Sequence, residues 1–219
     1  MIKLEKTEVY GWEAAIRGMR NPLNSWDKSD SIFDEYGFTC GEHDHALMMK
    51  LAKAGSSHSK FRRMITVTVD ITAPLYWWKE ADTYKVGTVA NSCSTMHKIH
   101  AKEFTLDDFS HERLFVSPTG LMPGEGADVC NDPVSILDAT IATLNACRYN
   151  YLMTKDERYW DSMIQLLPTS YNQKRTVLLN YEVLSGMFRD RRNHKLEEWH
   201  DFCYWICGLP YPEIIVGGE

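Results

Sequence analysis

Residues 63–100, RMITVTVDITAPLYWWKEADTYKVGTVANSCSTMHKIH, decide how the rest of the chain is read. Residues 64–71 alternate β-branched or apolar side chains with Thr and Asp at period two, the pattern of a strand with one buried face. Thr72, Ala73 and Pro74 break that pattern. They predict a helix over 75–82, with Thr72 as its N-cap and Pro74 in its first turn. Tyr76, Trp77 and Trp78 predict that this helix is buried. The run 83–97 that follows is dense in hydroxyls, with one amide (Asn91), one cation (Lys85) and one imidazole (His97). Such a run reads either as a capped turn leading into another helix or as a ligand-facing loop.

The totals set bounds. A chain of 219 residues can bury a full core, and a single domain over 1–219 is expected. Hydrophobic residues make up 44% and charged residues 25%, both near globular averages. The formal net charge of -6 argues against general binding to nucleic acid, while a local basic pocket for a nucleotide phosphate stays compatible with it. Six cysteines without a CxxC pair, behind a charged N-terminal stretch, predict reduced thiols in a cytoplasmic protein. No apolar run reaches membrane-spanning length, so no membrane segment is expected.

In chain order, 1–7 is expected to be a strand and 8–19 a helix, with Val9, Trp12, Ala15, Ile16 and Met19 at helical spacing. Residues 24–41 carry no clear period and read as a structured loop. A helix over 42–54 stops at Gly55. The bridge 56–63, SSHSKFRR, combines small polar side chains with cations. It reads as a solvated loop or as a phosphate contact. Residues 102–117 show no clear pattern, and 118–133 read as a mobile loop. Helices are expected over 134–153, 155–166, 180–192 and 195–207, and 171–179 is a strand or an extended segment. His43-x-His45 and His97-x-x-His100 could pair as ligands, but no HExxH or cysteine cluster accompanies them, so no metal is expected. Cys93 lies next to hydroxyls without an evident base and reads as a structural thiol.

Three segments together resemble the flavin-dependent thymidylate synthases. That family has a strand, an Ala-Pro-apolar helix start and the signature R-H-R-x-x-S-x-N-E-x-S-x-R-Y. Ala73, Pro74 and Leu75 match the helix start, and the signature falls on 83–88 and, after one inserted residue, on 91–97. Ser59 and Phe61 keep the hydroxyl and aromatic ring of the family's Ser/Thr-x-Phe-Glu-His turn. Leu167, Pro168, Asn180, Arg191 and Trp199 reproduce the spacing of its C-terminal motifs. The sequence departs from the family at Thr83, Tyr84, Ser92 and Met96 in the signature, at Ile164 in place of a phosphate-binding Arg, and at Gly186 in place of a flavin-site Asn.

The resemblance implies an α+β fold with a central antiparallel-rich sheet flanked by long helices. It implies reductive methylation of dUMP to dTMP, using FAD, NADPH and methylenetetrahydrofolate, in a homotetramer with active sites built between subunits. It assigns Arg191 as the catalytic residue, also binding the base or phosphate region of the substrate. It assigns Ser59, Tyr84, Lys85 and Asn180 to the cofactor, and Asn91 and Ser94 to the substrate. Arg62 and Arg63 are expected to restore positive charge lost at Thr83 and Met96. Two alternatives stay open: a related enzyme that hydroxymethylates a deoxypyrimidine monophosphate, and a non-catalytic nucleotide-binding protein.

Overall fold

The structure, a computed structural model, describes residues 2–116 and 132–217. The loop expected over 118–133 lies outside the described residues, except for Asp132 and Pro133. The elements run β1 (Lys3–Tyr10), α1 (Trp12–Arg20), β2 (Ile32–Asp34), β3 (Gly37–Thr39), α2 (Glu42–Lys53), β4 (Thr66–Pro74), α3 (Leu75–Ala81) and β5 (Val89–Ser92). They continue with α4 (Thr95–Lys98), α5 (Pro133–Thr154), α6 (Glu157–Leu166), β6 (Asn172–Asn180), α7 (Tyr181–Arg191), α8 (Glu197–Cys207) and α9 (Glu213–Val216). One sheet has the strand order β1-β4-β6-β5, and β2 pairs antiparallel with β3 in a separate hairpin. The fold is α+β, with an antiparallel sheet and helices. Among the described residues no helix is long and apolar enough to cross a membrane.

The chain forms two compact units. The first holds Thr72–Lys79 and Ser92–Lys174. Its core is Ile99, Phe104, Phe109, Leu137, Leu144 and Met163, with Ile164 and Tyr171 packed against them. The long helix α5 starts at Asp132, whose carboxylate accepts from the backbone N–H groups of Val134 and Ser135. Asn145 on α5 both donates to the Phe104 carbonyl and accepts from the Phe104 N–H, tying the preceding segment to the helix.

The second unit holds Ile2–Ile71, Glu80–Asn91 and Arg175–Glu219. Its core includes Ile65, Val67, Val69, Tyr181, Leu184, Trp199, Phe202 and Ile206. Each large apolar side chain buried this way contributes roughly 1.5–3 kcal/mol. Within β4, burial alternates residue by residue, as the period-two pattern predicted.

Several boundaries correct the sequence reading. Strand β1 runs on to Tyr10 and α1 begins only at Trp12, because Gly11 (φ +92°) turns the corner against the Met64 carbonyl, where a Cβ would sit 2.0 Å away. Thr72 lies within β4 and caps nothing. The first N–H groups of α3 are satisfied by backbone instead, Leu75 donating to the Tyr171 carbonyl and Tyr76 to that of Thr169. The region read as a loop over 24–41 contains the β2–β3 hairpin, where Phe33 stacks on Phe38 and Phe38 on Trp12. The polar run after α3 contains strand β5, all four of whose residues are exposed.

Candidate functional site

The end of α3 sets up the site, all of whose groups described next belong to the second unit. Thr83 stops the helix by donating its hydroxyl to the Glu80 carbonyl (2.7 Å), and the Tyr84 N–H donates to the Ala81 carbonyl. The loop then doubles back, the Thr88 hydroxyl donating to the Tyr84 carbonyl at 2.6 Å. Gly87 (φ +80°) lies against Asn180, and a Cβ there would stand 2.6 Å from the Asn180 amide nitrogen. Asn180 caps α7 by accepting from the Val183 N–H and reaches the Gly87 carbonyl at 3.5 Å. This geometry leaves Glu80 on the last turn of α3 and Tyr84 one turn further on.

Arg191 arrives from the last turn of α7. Its Nη1 donates to Glu80 Oε2 at 2.6 Å and its Nε to the Tyr84 hydroxyl at 3.0 Å. The guanidinium carbon lies 4.8 Å from the Trp199 ring centroid and 5.5 Å from that of Tyr84, within cation–π range of both rings. Glu80 Oε2 also accepts from Trp199 Nε1 at 3.1 Å and lies 3.2 Å from His194 Nε2. The Leu196 N–H donates to His194 Nδ1, so in the neutral ring the proton sits on Nε2, whose approach to the carboxylate lacks hydrogen-bond alignment. Burial pushes the Tyr84 phenol above its ordinary pKa; Arg191 opposes this and Asp190, 3.3 Å from the hydroxyl, reinforces it. Tyr84 therefore stays a neutral hydroxyl that accepts from Arg191 and donates to Asp190. Two contacts among the described residues are left over: Arg191 Nη2 donates to nothing, and Glu80 Oε1 accepts from nothing.

The residues singled out from sequence fall as follows. Tyr84 and Arg191 meet directly, and Asn180 joins the same loop through Gly87. Lys85 is exposed in that loop, and Asn91 is exposed on β5. Ser59 is completely buried and donates to Glu182 Oε2 at 3.0 Å. Ser94 belongs to the first unit, where its hydroxyl accepts from the His97 N–H and caps α4. The expectation for Arg62 is corrected. Its Nη1 donates inward to Ser185 and to the Ile214 carbonyl, and its Nε lies 2.8 Å from Glu182 Oε2 without hydrogen-bond alignment. Burial pulls its pKa down while Glu182 opposes this, and its charge is neutralised inside the unit. Ile164 packs into the apolar core of the first unit and brings no charge.

The turn around 57–61 also opens onto a cavity of about 850 Å³, whose described lining includes Lys28, His58 and Lys60, Arg20 and His43 already paired with Asp44 and Asp30, the polar Asn21, Ser25 and Ser57, and apolar side chains. Such a lining suits an anion with an apolar body. Glu80, His194 and Trp199 are the site residues that sequence reasoning did not assign. His43 pairs with Asp30 and His45 with Glu213; among the described residues no group of three or more His, Cys, Asp or Glu could hold a metal ion.

No protein-family model and no curated protein sequence matches the chain. Among solved structures it is similar to thymidylate synthase X (ThyX) from Helicobacter pylori with FAD and dUMP, at 15% identity and a TM-score of 0.67, covering 98% of this chain and 96% of that one. A second Helicobacter pylori ThyX structure complexed with FAD and dUMP has the same identity and TM-score, over 97% and 96% of the two chains. PolB, a UMP/dUMP methylase from Streptomyces cacaoi bound with 5-Br dUMP, is similar at 14% identity and a TM-score of 0.57, over 94% and 87%. At these identities the likeness is one of architecture: the chain has the ThyX fold.

Proposed function

We propose that this ThyX-fold chain is a flavin-dependent thymidylate synthase, converting dUMP to dTMP with methylenetetrahydrofolate as carbon donor and NADPH as reductant through FAD. The observation that carries the reading is the convergence of Tyr84, Asn180 and Arg191, three residues assigned by sequence resemblance, on one loop of that fold. An anionic dinucleotide needs cations that are not already neutralised and aromatic or amide groups beside them. Lys85, exposed next to Tyr84, and the Ser57–Lys60 turn, where Lys60 is exposed beside its cavity, meet that need, so the donor set fits FAD. Lys85 would hold a phosphate, Tyr84 and Asn180 the adjoining parts of the cofactor, and bound FAD would supply the hydride that completes the methyl group. Arg191 would hold the pyrimidine, its plane fixed by Trp199 and Tyr84 so that little ordering is needed on binding. Asn91 would contact the rest of the nucleotide. A homotetramer with shared sites and a cytoplasmic location belong to the same proposal.

The loss of cationic side chains at Thr83 and Ile164 favours one second reading, a relative that keeps the flavin and methylates or hydroxymethylates a deoxypyrimidine monophosphate other than dUMP. The test is direct. The purified protein should show flavin absorbance, and with methylenetetrahydrofolate and NADPH it should release tritium from 5-tritiated dUMP. Release from 5-tritiated dCMP instead selects the second reading. Protein that takes up no FAD and releases no tritium from either nucleotide overturns both.

A further inference from the structure

The contact between Glu80 and Arg191 limits what the arginine can recognise. Nη1 and Nε are engaged by Glu80 and Tyr84, so a forked grip using two further nitrogens is closed to it. What remains is Nη2 as a donor and Glu80 Oε1 as an acceptor. Each lies one bond angle from the 2.6 Å contact, so a ligand that meets the guanidinium meets the carboxylate too. Both side chains reach solvent, at 17% and 33% exposure. The pair carries no net charge, and the His194 ring lies beside it, its Nε2 3.2 Å from Oε2. A phosphate would gain one donor from this pair and face a carboxylate; a neutral edge with an N–H beside a C=O would satisfy both groups.

We propose, resting on the pyrimidine-nucleotide reading above, that Glu80 is a specificity-determining residue. Its Oε1 accepts from the ring N3–H of the pyrimidine while Arg191 Nη2 donates to the neighbouring ring carbonyl. The Glu80–Arg191 pair thus reads the base of an oxo-pyrimidine nucleotide and leaves the phosphate to other groups. The Trp199 and Arg191 donors on Oε2 hold the carboxylate so that Oε1 is the oxygen presented.

The test compares binding of dUMP, 3-methyl-dUMP (N3–H replaced by N–CH₃) and 2-deoxyribose 5-phosphate by calorimetry. Wild-type protein should prefer dUMP over 3-methyl-dUMP by about ten- to hundredfold, the range for a hydrogen bond to a charged group. Glu80→Gln keeps the size of the side chain and one oxygen for Arg191 but turns an NH₂ toward the ligand. It should unfold at the wild-type midpoint and lose most of that preference. Glu80→Ala should lose the preference as well, with affinity for deoxyribose 5-phosphate unchanged. A preference retained in both variants, or tighter sugar-phosphate binding in Glu80→Ala, overturns the assignment of Glu80 alone. Wild-type protein that binds neither nucleotide removes the underlying reading, and this assignment with it.

Discussion

Two carboxylates in the second unit each gather an arginine and several other donors, and they differ in what is left over. Asp44, on α2, is fully buried. It accepts from Arg20 Nε at 2.6 Å, from the hydroxyls of Ser29 and Ser31, and from the N–H groups of Asp30 and Ser31. Arg20 in turn donates to the Ser25 carbonyl, and its Nη2 is enclosed without a partner. This hub is closed, and its effect is to fix the segment between α1 and α2. Glu80 collects its donors on one oxygen, is a third exposed, and keeps the other oxygen unused beside an arginine with one unused nitrogen. A closed hub organises the chain; an open one is available to a ligand.

The contrast can be broken most sharply at Asp44. Asp44→Ala should lower stability by about 3–5 kcal/mol, since it strands the buried Arg20 charge, and a denaturation midpoint by urea measures it. At the open hub the effect should move from stability to binding. Arg191→Ala should weaken dUMP binding by about ten- to hundredfold while unfolding shifts by about 1 kcal/mol or less, because water solvates the Glu80 carboxylate it leaves behind. Equal stability losses at the two hubs would dissolve the distinction.

A finer test uses acid. Burial works against ionisation of Asp44, but the hydrogen bonds from Ser31, Ser29 and Arg20 outweigh it and hold its pKa below the ordinary 3.8. A carboxylate lowered on folding adds stability that is complete above its unfolded pKa and is lost as the pH falls through the folded one. Wild-type stability should therefore fall below about pH 4. Asp44→Asn should flatten that limb, which acid titration of the unfolding midpoint would detect.

The parts of the fold legible in the sequence are those with a long regular pattern. The alternation in β4 and the apolar stripes of α7 and α8 extend over enough residues for their period to register, and α5 runs 22 residues with no interior Gly or Pro. β2 and β3 are three residues each, too short to show one, and β5 exposes every side chain, so its two faces do not differ in sequence. The β1–α1 boundary was misplaced because Val9 and Trp12 fit a helical spacing as well as a strand followed by a corner at Gly11. Motif spacing marked Tyr84, Asn180 and Arg191, which the structure brings to one loop. Glu80 was not, since an acid on a helix looks the same in sequence whether it faces solvent or an arginine 111 residues away.

Trp199 turns the open hub into a built-in optical reporter. Its indole is fully buried, hydrogen-bonded through Nε1 to Glu80 and covered by the Arg191 guanidinium. Emission from such a ring depends on the charges at its edge and over its face. Whatever draws on Glu80 or Arg191 changes both at once, so occupancy can be followed in the unlabelled protein by its own fluorescence, with Trp199→Phe identifying which of the seven tryptophans carries the signal.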